Sequence, residues 1–259
     1  MIDAQAVLID IDGVLTVSWE PLEGAVEALQ ALRAEHFPFT LITNSTSRSR
    51  REIAATLAEA GFPVDFEDIL TAPAAAAAYL REHRPDARCL LLNSGDIAED
   101  FEGVQLVSDR PDLVLTGGAG PEFDYATLNG VFGHLQRGAE LMSMHANLFW
   151  RTSDGLALDA GAFLLGLEQA ASTHTTILGK PAGAFFETAL RRVDAPSGRA
   201  AMVGDDVESD VLGAQRHGLT GVLVRTGKFQ PDHEEGIDGD RPDHVIDSVA
   251  GLPGLLGIA

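Results

Sequence analysis

Cysteine is almost absent from this chain. The single one, Cys89, lies in the apolar run CLLL, which excludes an internal disulfide and reads as a buried strand residue. Lysine is nearly as scarce, with only Lys180 and Lys228. Positive charge is short overall: 18 Lys and Arg face 39 Asp and Glu, a formal net charge of −21. So acidic a surface argues against a nucleic acid or an anionic membrane as partner. No apolar stretch approaches the roughly 20 residues of a membrane span. The start, MIDAQAVLIDIDG, has no basic n-region and no long apolar h-region, so no signal peptide is expected and a cytoplasmic protein is.

The 259 residues are 45% hydrophobic and 22% charged, the composition of a packed globular protein. Their length allows one core plus an inserted module. AVLIDI reads as a buried parallel strand, AVEALQALRAE as a helix, FPFTLITN as the next strand and SRSRREIAATLAEAG as a helix closed by Gly61. The same rhythm returns near the end. PAGAFFETALRRVD is helical, RAAMVG a strand, VESDVLGAQRHG a helix to Gly218 and TGVLVRTG a strand; HVIDSVAGLPGLL adds a short strand and helix. GIDGDRP, at 236–242, reads as a polar loop. The expected fold class is α/β, a mostly parallel sheet with helices on both faces. The middle has its own strands and helices. It is expected to form a smaller α/β domain over 73–177, inserted between core segments 1–72 and 178–259.

Acidic residues gather where predicted strands end. Asp10 and Asp12 close the first strand, in DIDGVLT, where period-two alternation lets both carboxylates converge beyond the sheet. Thr43 and Asn44 end the second strand, ahead of Ser45, Thr46 and Ser47; hydroxyls and amides opening a helix suit a phosphate. Lys180, in LGKPAGAFF, is placed to act as a point charge. Asp205, Asp206 and Asp210 follow RAAMV, with Asp210 one helical turn past Asp206. Each group alone has a plain structural reading: a turn, an N-cap, a solvated loop lysine. Together they crowd like charges. Two carboxylates about 4 Å apart repel by ~4 kcal/mol at an effective dielectric near 20. Mg²⁺, a hard cation shared between carboxylates and phosphates, relieves that repulsion.

The ordered set DIDGVLT, LITN, GKP and GDDVESD resembles the four motifs of the haloacid dehalogenase superfamily of phosphatases, over residues 10 to 210. The inserted module resembles the class IIA cap of its NagD-like branch. The strings DGLALDAGAF, LGKPAGAFFETAL and VLVRTGKFQPDHEE narrow the likeness within that branch. The resemblance implies a Rossmann-like core with an inserted cap. It implies an Mg²⁺-dependent phosphatase acting on a small phosphorylated metabolite, whether a phosphomonoester, a phosphoramidate or pyrophosphate. Asp10 would be the nucleophile that forms an aspartyl-phosphate, and Asp12 the general acid and base. Thr43, Asn44 and Lys180 would hold the phosphoryl group. Asp10, the carbonyl of Asp12, and Asp205 would bind Mg²⁺, supported by Asp206 and Asp210. Cap residues His145, Asn147 and the 158–161 stretch LDAG are candidates for substrate contact, with packing the equal alternative for His145. A homodimer built through the cap is a further expectation. Two other classes fit parts of the pattern. One is a non-catalytic phosphoacceptor or binding protein, against which the insert and Asp12 count. The other is a dehalogenase, for which the acidic cluster has no use.

Overall fold

The computed structural model describes residues 1–152, 155–237 and 239–258. Its contacts divide the chain into two units. One comprises Met1–Thr43, Arg50–Leu70 and Lys180–Ala259; the other Asn44–Ser49 and Thr71–Gly179.

The first unit is organised around a six-stranded sheet. Its order is His244–Ile246, Thr220–Val224, Ala200–Gly204, Ala6–Asp10, Phe39–Thr43, Ile69–Thr71. The pairings from His244–Ile246 through Phe39–Thr43 are parallel. Ala6–Asp10, Phe39–Thr43 and Ala200–Gly204 are buried along their whole length, as near-continuous apolar runs require when both sheet faces are covered. Ile9 pairs with Val203 on one side and Leu41 on the other. That register brings Asp10, Thr43 and the Gly204–Asp205 junction to the same carboxyl edge.

One sheet face, with Val7, Ile9, Leu41 and Val203, packs against Leu29 and Leu32 of helix Ala25–Ala34 and Ile53 and Leu57 of helix Arg50–Glu59. Leu29 and Leu32 share one side of their helix with Ala25 and Ala28, the spacing that builds an apolar stripe. On the opposite face Leu223 meets Val207, Val211 and Leu212. Helix Gly183–Val193 buries Phe185 and Phe186 completely.

The segment after Ala200–Gly204 departs from the expected single helix to Gly218. It forms one π-helical stretch, Val207–Leu212, followed by a short α-helix, Gly213–Arg216. The Asp206 carboxylate caps this stretch by accepting the Glu208 and Ser209 N–H groups, and the Asp206 carbonyl accepts the Val211 N–H, five residues on, at 3.3 Å. In the loop at 236–242, Ile237 and Asp240 form a bridge, and Asp238 lies outside the described residues.

The second unit has a five-stranded parallel sheet in the order Thr176–Ile177, Glu140–Ser143, Leu113–Thr116, Arg88–Leu92, Gln105–Leu106. Helices Ala72–His83, Tyr125–Gln136 and Ala160–Ala171 belong to it, N-capped by Thr71, Asp124 and Asp159. A separate antiparallel hairpin, Phe149–Thr152 with Gly155–Leu158, leaves Phe149, Leu156 and Leu158 exposed. The string DGLALDAGAF starts at Asp154, which lies outside the described residues. This unit exceeds the expected 73–177 at both ends and also takes in Asn44–Ser49. Hydrogen bonding explains that addition. Asn93 donates to the Thr46 carbonyl and the Gly118 N–H to the Thr46 hydroxyl, both at 2.9 Å. Among the described residues no helix is long and apolar enough to cross a membrane.

Candidate active site

The site lies in the first unit, at the carboxyl edge of its sheet. Asp10 ends the strand Ala6–Asp10 and is only 6% exposed. The chain then turns through Asp12 and Gly13, whose N–H donates to the Thr16 carbonyl at 2.7 Å. Asp12 itself is exposed at the surface, but partial desolvation raises its carboxyl, and Lys228 and Lys180 oppose the rise.

Lys180 is buried, and its ammonium lies 2.5 Å from Asp10 Oδ1 and 2.7 Å from Asp210 Oδ1. The strand Ala200–Gly204 delivers Asp205 and the turn after it delivers Asp210, both almost wholly buried. Gly204 allows this approach, because a Cβ there would come within 2.4 Å of Asp210 Oδ2. Asp10, Asp205 and Asp210 each offer a carboxylate oxygen within 4.8 Å of the others. Burial pushes all three carboxyls up to about 6. Lys180 opposes that rise at each of them, while the neighbouring acids add to it. Burial alone would lower Lys180, but Asp10 and Asp210 together raise it, so it remains an ammonium.

Asp205 is held unusually. Its Oδ2 accepts the Lys228 N–H at 2.7 Å, while Oδ1 is buried and has no hydrogen-bond partner among the described residues. An orphaned carboxylate oxygen in such surroundings is costly unless a cation meets it. Gly13 and Gly227 cradle the same carboxylate. Both have positive φ, +85° and +61°, and a Cβ on either would sit 2.0 Å from Asp205 Oδ2. Two glycines are thus required by backbone conformation and by space. A hard, all-oxygen donor set with one buried oxygen unpaired fits a divalent cation of the Mg²⁺ type.

Asp206 sits differently. One oxygen caps the turn through Glu208 and Ser209, and the other accepts the Lys228 ammonium at 3.1 Å. Burial would raise its carboxyl, but Lys228 and the Ser209 N–H outweigh that and hold it below the usual range.

Thr43 is buried at the same sheet edge, whereas Asn44 groups with the second unit. There a Cβ on Gly179 would lie 2.7 Å from Asn44 Oδ1. His145, Asn147 and Leu158–Gly161 are also in the second unit. His145 is buried, 3.9 Å from Asp159 Oδ2, and burial lowers it while Asp159 opposes. Asp159 Oδ1 accepts the Ala119 and Ala160 N–H groups, so it fixes a helix start. Asn147 is exposed, and its N–H points to His145 Nδ1 at 3.4 Å. At 3.9 Å His145 and Asp159 are close enough for a charge interaction and too far for a direct hydrogen bond.

The segment Thr226–Lys228, outside the four motifs, also reaches the site. Thr226 Oγ1 donates to the Gly13 carbonyl at 2.5 Å, and Lys228 contacts Asp205 and Asp206. The available signal was lysine scarcity: both lysines of the chain are in this site.

Known proteins are similar to this chain. A family profile described as haloacid dehalogenase-like hydrolase matches residues 7–107, and one described as HAD-hydrolase-like matches 177–252. Haloacid dehalogenase-like hydrolase domain-containing protein 2 of Rattus norvegicus is 38% identical over 90% of this chain and 89% of its own. Human phospholysine phosphohistidine inorganic pyrophosphate phosphatase is 32% identical over 97% and 94%. Among solved structures, a glycerol phosphate phosphatase of Mycobacterium tuberculosis in complex with magnesium superposes with a TM-score of 0.86. It is 29% identical over 96% of this chain and 77% of that one. NagD of E. coli gives 0.86 at 25% identity, over 96% and 98%. The chain is therefore a hydrolase. The chain is a member of the haloacid dehalogenase-like hydrolases, in their class IIA, NagD-like branch.

Proposed function

We propose that the chain is an Mg²⁺-dependent phosphatase that works through an aspartyl-phosphate on Asp10, acting on a small phosphorylated metabolite. The observation that carries this reading is the position of Lys180 between Asp10 and Asp210, beside the unpartnered Asp205 oxygen. Charge placement and positioning dominate phosphoryl transfer, and these residues supply both.

Asp10, Asp205 and the Asp12 carbonyl would hold the ion. When bound, Mg²⁺ supplies positive charge against the carboxylates and the phosphoryl oxygens. Lys180 keeps Asp10 ionised despite its burial and fixes the direction of its carboxylate. An Asp10 oxygen attacks phosphorus as the bond to the leaving oxygen breaks, and Asp12 gives that oxygen its proton. The Asp12 carboxylate then takes a proton from water as the water oxygen attacks the phosphorus of the aspartyl-phosphate. Inorganic phosphate leaves and Asp10 is restored. Thr43 lies at the right sheet edge to bind a phosphoryl oxygen. The exposure of Asp12 supports turnover over a lasting phosphoacceptor, since it can reach both the leaving group and water.

The names of the relatives widen the substrate class to phosphomonoesters, phosphoramidates and pyrophosphate. The test is phosphate release from an aryl phosphate and from members of each class, with and without Mg²⁺. Mg²⁺-dependent release that disappears in Asp10→Asn is expected. A folded protein inert across the whole panel would overturn the reading.

A further inference from the structure

Five carboxylates belong to this site: Asp10, Asp12, Asp205, Asp206 and Asp210. Only two lysines oppose them. Lys180 is enclosed, 3% exposed, and engaged by Asp10 and Asp210. Lys228 is arranged the other way. Its backbone N–H is tied to Asp205 Oδ2, and the Thr226 hydroxyl anchors the same loop to the Gly13 carbonyl. Its ammonium touches Asp206 Oδ2 at 3.1 Å and feels Asp205 and Asp210 as well, while the side chain is 69% exposed. A fixed backbone therefore presents a reachable cation at the rim of an acidic centre. A lysine ammonium has three donors, and Asp206 accepts one. The chain carries −21, so an incoming phosphate meets a repulsive net field.

We propose that Lys228 is a second substrate-binding cation of this site. It offsets Asp206 and Asp205 and offers its remaining N–H groups to the oxygens of the arriving anion, while taking no part in holding the metal ion. The inference rests on the phosphatase reading for its substrate, but its sign can be tested apart from turnover. Loss of Lys228 removes positive charge from beside Asp205 and Asp206. It therefore weakens binding of an anion and does not weaken binding of a cation. A purely structural role would weaken both.

The experiment compares wild type with Lys228→Met, Lys228→Gln and Lys228→Arg by calorimetry. Mg²⁺ alone is titrated first, then inorganic phosphate in the presence of Mg²⁺, at low and at high salt. Steady-state kinetics on an aryl phosphate run in parallel. The methionine and glutamine variants are expected to bind phosphate about tenfold more weakly at low salt. Most of that difference should vanish at high salt, because an exposed charge is screened. KM should rise more than kcat falls, Mg²⁺ affinity should hold or tighten, and the arginine variant should restore phosphate binding. Unchanged phosphate binding, weaker Mg²⁺ binding, or failure of arginine to restore would each overturn the proposal. A wild type that turns over no phosphate ester, yet binds phosphate with this dependence on Lys228, would reject the phosphatase reading and leave Lys228 its role.

Discussion

Asp10 Oδ1 and the Lys180 ammonium stand 2.5 Å apart, although 170 residues separate them in sequence. The pair is buried and Asp210 completes it on the other side of the lysine. Removing one member of a buried ion pair leaves a charge uncompensated. Lys180→Met is therefore expected to cost about 3–5 kcal/mol of stability as well as activity. Chemical denaturation measures the first and a phosphatase assay the second.

Asp10→Asn acts in the opposite direction on stability. The Asp10 carboxyl lies at about 6 against an ordinary 3.8, so ionising it at neutral pH costs the metal-free fold on the order of 3 kcal/mol. Asparagine removes that charge, and Asp210 still accompanies Lys180. The variant is expected to be inactive and to melt a few degrees higher than wild type in chelator at pH 7. A lower melting temperature would show that pairing with Lys180 outweighs the crowding.

The same crowding sets a pH dependence. Asp10, Asp205 and Asp210 bind protons more readily in the folded chain, near 6, than unfolded, near 3.8. Their contribution to stability is thus fully present below about pH 4 and is lost as pH rises through about 6. Mg²⁺ requires the ionised forms. The rise in melting temperature on adding Mg²⁺ should accordingly be larger at pH 7.5 than at pH 5. Scanning calorimetry with and without Mg²⁺ at both values measures it.

Gly13→Ala and Gly61→Ala separate strain from site geometry. Both glycines have positive φ, so each substitution costs about 1–2 kcal/mol in backbone strain, and at Gly13 the clash with Asp205 adds to it. Only at Gly13 does the new Cβ run into Asp205; at Gly61 nothing lies within 4 Å. Gly13→Ala should lose Mg²⁺ affinity and Gly61→Ala should keep it, as titration calorimetry reads directly.

The legible part of this protein is what repeats or clusters in the chain. Apolar runs such as AVLID and AAMVG marked the strands of the core sheet, and acids at their carboxyl ends marked the candidate site, where Asp10, Asp205 and Asp210 come together. The π-helical stretch at Val207–Leu212 was not legible, because apolar spacing reads the same whether a short helix closes its backbone bonds four or five residues apart. Nor was the grouping of Asn44–Ser49 with the second unit, which follows from hydrogen bonds between Thr46 and residues far along the chain. Lys228 was visible as a rare residue. Its role was not, since its partners Asp205 and Asp206 meet it only through the fold.

The central claim is that Asp10 carries the phosphoryl group. The most direct measurement mixes an Asp12→Asn variant, which retains the nucleophile but should lose about 10²–10⁴-fold in general acid–base steps, with an activated aryl phosphate and Mg²⁺. The reaction is quenched in acid within one turnover, reduced with borohydride and mapped by mass spectrometry. Homoserine at position 10 is the predicted result, because reduction of an acyl-phosphate there yields it. Phosphate release in the burst with position 10 unmodified and another residue labelled, or with no residue labelled, would contradict the account.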